Sequence, residues 1–216
     1  LPDIFDEVQE ELRAERARRL GMRYGGLLAG IALAAVIGIG GWQGWRWHQD
    51  RQALAAAATY LELNRTTEAQ GADLKAAGAG FATLGEQSPA GYRLLADMRA
   101  AALRAETGDR DGALALWNRV SADGAVPQIY RDLASLMWAL HGIDTQDPAV
   151  LAARLGPLAQ PGNAWRASAR ELQALLALRQ GNKTEAKRDL EALAADVTAP
   201  RGLRDRAGRL AAGLGV

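Results

Sequence analysis

The two imidazoles of this 216-residue chain, His48 and His141, are its only side chains whose ordinary pKa lies close to neutrality. A metal site would need further ligands at a recognisable spacing, and a relay would need an orienting partner. The two histidines are far apart in the sequence, and there is no cysteine to join either of them. The same absence removes disulfides, thiolate metal sites and cysteine nucleophiles. His48 stands beside a tryptophan cluster and reads as an interfacial polar residue, while His141, just before Gly142, reads as a hydrogen-bonded residue at a helix end.

Other chemistries meet similar obstacles. Gly78 and Gly80 follow a helix-like segment and not a strand, so a dinucleotide-binding turn fails its context. No Gly-x-Ser-x-Gly elbow, phosphate loop or His-Glu-x-x-His pair occurs. Glu62, Glu171 and Glu185 read as members of solvated helix faces. An enzyme would therefore require titratable groups that converge only in three dimensions, and the expectation is a non-enzyme with no catalytic residue, cofactor or metal. Lys and Arg number 26 against 25 Asp and Glu, so no strong field argues for nucleic acid.

The elements that would carry any function begin with residues 24–45, YGGLLAGIALAAVIGIGGWQGW, which contain no formal charge. As a helix this stretch would be ~33 Å long, matching a hydrocarbon core of ~30 Å. Tyr24 marks one end and Trp42, Trp45 and Trp47 the other, as expected of aromatic residues at headgroup depth. The preceding residues 1–23 are rich in acids, and no small-residue cleavage site directly follows the tryptophans, so an uncleaved anchor is expected. Arg13, Arg16, Arg18, Arg19 and Arg23 precede the span, whereas Arg46 and Arg51 lie just beyond it. The positive-inside rule then places the N-terminus in the cytoplasm and the remainder across the membrane, in the periplasm of a bacterium. Gly26, Gly30, Ala34 and Gly38 recur every fourth residue and form a small-residue face on which another helix, or a second copy, could pack closely.

Residues 46–70 show the amphipathic pattern of a connector helix, and residues 71–216 show helical stretches broken by Gly, Pro and Asn with no strand-like alternation. The fold class is all-α. Gly108-Asp109 is followed by Ala113 and Trp117, and Gly181-Asn182 by Ala186 and Leu190, a pattern of Gly-[Asp/Asn]-x-x-x-Ala-x-x-x-large apolar. Ala77 with Phe81, and Ala149 with Ala153, fall where units of about 36 residues would place them.

This resembles the tetratricopeptide repeat, a helix-turn-helix unit that stacks into a solenoid. The first-helix signature of aromatic and Leu-Gly is mostly missing, and the third unit lacks the Gly-Asp turn. Three further segments carry a second resemblance: Asp3-Ile4-Phe5-Asp6-Glu7-Val8, Pro161-Gly162-Asn163-Ala164-Trp165-Arg166 with Ala169 and Glu171-Leu172, and the tail 196–207 containing Ala199-Pro200 and Arg204-Asp205-Arg206-Ala207. With the leader, the anchor and the repeats, they resemble the YfgM-type family of membrane-anchored, tetratricopeptide-repeat-like proteins of Gram-negative bacteria. That resemblance implies an inner-membrane protein with a periplasmic helical domain, associated with the Sec translocon and with a membrane-anchored periplasmic chaperone of the prolyl-isomerase type. No site residue carries over with it. A rival expectation is an accessory or assembly subunit of another inner-membrane complex, such as a respiratory one, docked through the glycine face.

Overall fold

The computed structural model describes residues 4–215; at 4–17, 19–21, 25, 28 and 32 it describes backbone alone. The segment Asp3 to Val8, and Arg13, Arg16 and Arg19 of the orientation argument, thus lie outside the residues whose side chains are described. Every regular element among the described residues is a helix. The chain divides into two compact units, Leu1–Gln52 and Ala53–Val216.

Helix α1 (Ile4–Glu68) runs through the first unit without a break, and the division between units falls within it. Among the described side chains of the first unit, Leu27, Ile31, Leu33, Val36, Ile37 and Ile39 are all more than half exposed. Among the described residues no helix is long and apolar enough to cross a membrane. The 24–45 stretch is helical throughout, but Gly25, Leu28 and Ala32 within it are not described beyond backbone.

The second unit begins with the end of α1 and continues through α2 (Leu74–Gln87), α3 (Ala90–Glu106), α4 (Arg110–Ala122), α5 (Gln128–Gly142), α6 (Pro148–Leu158), α7 (Arg166–Arg179), α8 (Lys183–Ala195) and α9 (Arg201–Gly213). Each helix from α2 onward packs on its neighbour in sequence. The end of α1 packs on α2 through Tyr60 and Phe81, whose ring centroids are 5.3 Å apart. The stack is therefore four helix pairs followed by α9.

The second helix of each pair starts at a polar cap. Asp73 accepts a hydrogen bond from the Ala76 amide, Asp109 from Gly112 and Asp147 from Ala149 and Val150, satisfying amides that have no partner inside the helix. Asn182 holds the same position before α8. Gly71, Gly108 and Gly181 precede three of these caps with φ between 77° and 89°, backbone that a residue with a Cβ adopts at a cost. At Gly181 the turn is a complete Schellman motif, with the Asn182 amide donating to Ala177 and that of Gly181 to Leu178.

Counting from the cap, the residues four, eight and eleven positions on form one buried stripe in every second helix: Ala77, Phe81, Leu84; Ala113, Trp117, Val120; Leu151, Leu155, Leu158; and Ala186, Leu190, Leu193. The third set corrects the expectation of Ala149 and Ala153, both of which are exposed. The connection before α6 is longer than a Gly-Asp turn and caps at Asp147, moving the register on by two residues.

Three helices start at proline, with Pro89, Pro127 and Pro200 at the caps of α3, α5 and α9, where the missing N–H costs no helical bond, whereas α7 starts at Trp165. Small residues, among them Ala96, Ala100, Ala134 and Ala207, are fully or almost fully buried there and let neighbouring helices approach closely. Polar ties join successive pairs about one repeat apart. The Trp165 indole donates to the Ile129 carbonyl at 3.0 Å, Arg179 to the carbonyls of Ile143 and Gln146 at 2.7 and 2.6 Å, and Arg154 to Asn118. The Asn163 amide binds Asp132 at 2.8 Å, so the segment 161–166 singled out in the sequence is the α6–α7 loop fastened to α5.

Candidate functional site

The two histidines have ordinary surroundings. His48 shares a hydrogen bond with Gln52 at 3.0 Å on the exposed surface of α1. His141 stacks on Trp117, with ring centroids 4.6 Å apart, and burial followed by the charge of Arg110 holds its pKa below the usual histidine value. Among the described residues no group of three or more His, Asp or Glu could hold a metal ion.

Glu171 corrects its sequence reading. It is not on a solvated face: its side chain is buried in α7 and receives two hydrogen bonds from the Arg206 guanidinium on α9. A carboxylate withdrawn from water is stable only with such matched donors, and the fork of an arginine supplies them in parallel. Glu62 and Glu185 are exposed, as read.

The small residues proposed for helix packing remain open. A Cβ built at Gly26, Gly30 or Gly38 would meet no atom within 4 Å, and Ala34 is exposed. The aromatic residues bounding this stretch carry arginines over their rings, Arg23 over Tyr24 at 5.9 Å, Arg46 over Trp42 at 5.7 Å and Arg51 over Trp47 at 4.0 Å.

A groove of about 880 Å³ lies in the second unit, between the end of α2, the start of α3, the end of α4 and the start of α5. Tyr92, Leu94, Leu95, Val126 and Tyr130 give it apolar walls, and Leu95 and Tyr130 stay 43% and 41% exposed, more than a side chain of the core would. The space is lined by the first turns of two proline-led helices, α3 and α5, and by the α4–α5 turn.

Asp97 lines the same groove from α3 and is the most buried of its charged residues, at 3% exposure. Burial raises its pKa above the ordinary 3.8, opposed chiefly by the Arg119 guanidinium, which donates to it at 2.6 Å. Gly85 makes room for this carboxylate. Arg93 donates to the Ser88 carbonyl at 3.3 Å, and the Asp123 carboxylate accepts from the Ala125 amide at 2.9 Å. The arrangement offers apolar contact and charge at a surface.

Of the groove residues only Pro127 stands out in the sequence, as the end of a repeat unit and not as part of a site. They come from four helix ends, with no local spacing to connect them. The available signal was the pair of prolines, Pro89 and Pro127, that open adjacent first helices.

A family model for a tetratricopeptide repeat-like domain matches residues 22–204, a stretch that includes both the apolar part of α1 and most of the helix-pair stack. No curated protein and no solved structure is significantly similar to the chain.

Proposed function

The chain belongs to the tetratricopeptide repeat-like domain family, and from that premise we propose that it is a membrane-anchored scaffold that holds other proteins beside the bilayer. The observation that carries the reading is the groove of about 880 Å³, where large apolar side chains stay exposed on a rigid stack of helices. Domains of this family are typically interaction modules without catalysis.

Residues 24–45 are the anchor. In support, the stretch has no formal charge, its described large apolar side chains are exposed, and aromatic–arginine pairs bound it. The N-terminus lies in the cytoplasm and the helix-pair stack in the periplasm of a Gram-negative inner membrane. By resemblance to the YfgM-type family, the partners are the Sec translocon and a membrane-anchored periplasmic chaperone of the prolyl-isomerase type.

A second reading, an accessory subunit docked through its span onto another inner-membrane complex, is favoured by the open face at Gly26, Gly30 and Gly38. Purifying the full chain in mild detergent, with Leu95→Glu and Gly30→Leu variants alongside, separates the two. Loss of partners with Leu95→Glu supports recognition by the repeat stack, and loss with Gly30→Leu supports docking through the helix. Retention of all partners by Leu95→Glu sinks the groove as their site. A reporter active only in the cytoplasm, fused after residue 216, should be silent. Activity there overturns the topology.

A further inference from the structure

The charges that face the groove are not balanced. Arg119 is engaged by Asp97 at 2.6 Å, and Arg93 is turned onto the Ser88 carbonyl at 3.3 Å. Glu86 and Asp123 line the same space, and neither forms an ion pair among the described residues. Glu86 is exposed at the end of α2, while Asp123 caps the end of α4 with one carboxylate oxygen on the Ala125 amide. Asp97 adds burial but no free charge, since Arg119 answers it. The lining holds three carboxylates, Glu86, Asp97 and Asp123, against two guanidinium groups, Arg93 and Arg119, so an occupant with apolar surface alone would cover one negative charge in excess, which costs free energy as water is removed. An acidic occupant would meet repulsion from Glu86 and Asp123 and add to the negative excess, and Arg119 is already held by Asp97.

We propose that the groove receives a protein segment that sets an apolar side chain against Leu95, Val126 and Tyr130 and a lysine or arginine in the space that Glu86 and Asp123 line. This deepens the scaffold reading and rests on it. The apolar walls supply the affinity, and the two carboxylates supply the choice between sequences, because a like charge at the same place is rejected.

The full chain in detergent is used to probe an array of ten-residue peptides built from Ala, Ser and Gly. At the two central positions the peptides carry every combination of Leu, Phe or Ser with Lys, Arg, Glu or Gln. Peptides pairing Leu or Phe with Lys or Arg should be retained about tenfold more than their Glu counterparts, the size expected for one partly buried charge-assisted contact. Glu86→Gln with Asp123→Asn should abolish that preference while apolar-dependent binding remains. Both substitutions keep shape, and Asn keeps the oxygen that the Ala125 amide needs. Leu95→Ser should lower retention of every peptide.

Equal retention of Lys and Glu peptides overturns the proposal, as does a preference for Glu, which would assign the site to the arginines. No retention of any peptide overturns it as well. Co-purification of partners lost in Leu95→Glu would still leave the scaffold reading standing, so the two claims fail separately.

Discussion

A Cβ built on Gly85 of α2 would stand 2.4 Å from the Asp97 Oδ1 on α3, well inside contact distance. The glycine is thus the complement of a buried carboxylate, and the pair sets how closely two consecutive helices meet beside the groove.

Gly85→Ala should force the Asp97 carboxylate off Arg119 or push α2 from α3, at a cost of about 1–3 kcal/mol by overpacking. Gly202→Ala, also within a helix but with no atom within 4 Å of the added carbon, should gain about 0.4–1 kcal/mol. Urea unfolding of the full chain in detergent compares them. If both variants gain stability, the Gly85–Asp97 contact does not constrain the helices.

The register of the third pair is tested by Leu155→Ala, which removes a side chain of 0% exposure and should cost about 2–5 kcal/mol. Ala153→Ser on the exposed face of α6 should stay within about 0.5 kcal/mol of the parent. The reverse order in thermal melts would restore the register read from sequence.

Arg206→Lys keeps a positive charge but replaces a planar fork by a single ammonium. Glu171 then loses one of its matched donors, and a loss of about 1–3 kcal/mol follows from a buried acceptor left short. Hydrogen exchange in α9 should rise first, with α3 and α4 unchanged. Identical protection of α9 in the variant would show that charge alone holds this pair.

Acid sensitivity is expected at His141. Its folded-state pKa is depressed below 6.5, first by burial and then by Arg110, so the folded chain takes up a proton less readily than the unfolded chain. The corresponding stability is complete above 6.5 and drains away as pH falls through the folded-state value. His141→Phe keeps a ring against Trp117 and cannot be protonated. Its Tm should therefore fall less than that of the parent between about pH 7.5 and 5. Parallel shifts for both proteins would refute this.

Legibility in the sequence followed the backbone chemistry. Gly108-Asp109 and Gly181-Asn182 announce themselves because a positive φ favours glycine and the next residue caps a helix, so two helix pairs could be placed from local pattern alone. The α5–α6 connection has no such glycine. Its signal was Asp147-Pro148, a cap followed by proline in the first turn, which carries equal physical meaning but breaks the Gly-Asp pattern. Glu171 was misread because its partner Arg206 lies 35 residues away, one repeat on, where no periodicity within a helix reveals it. The groove was invisible for the same reason.

The ties between pairs, Asn118 with Arg154 and Ile129 with Trp165 at separations of 36 residues, and Glu171 with Arg206 at 35, are linked in series along the stack and not in parallel. A pull applied at α9 therefore loads the Glu171–Arg206 tie before those deeper in the stack. Each pair that gives way would release ~120 Å of slack, taking ~36 residues at ~3.4 Å each. The stack would therefore come open from its α9 end like a zip drawn from one side, while the pairs that frame the groove nearer α1 stay closed.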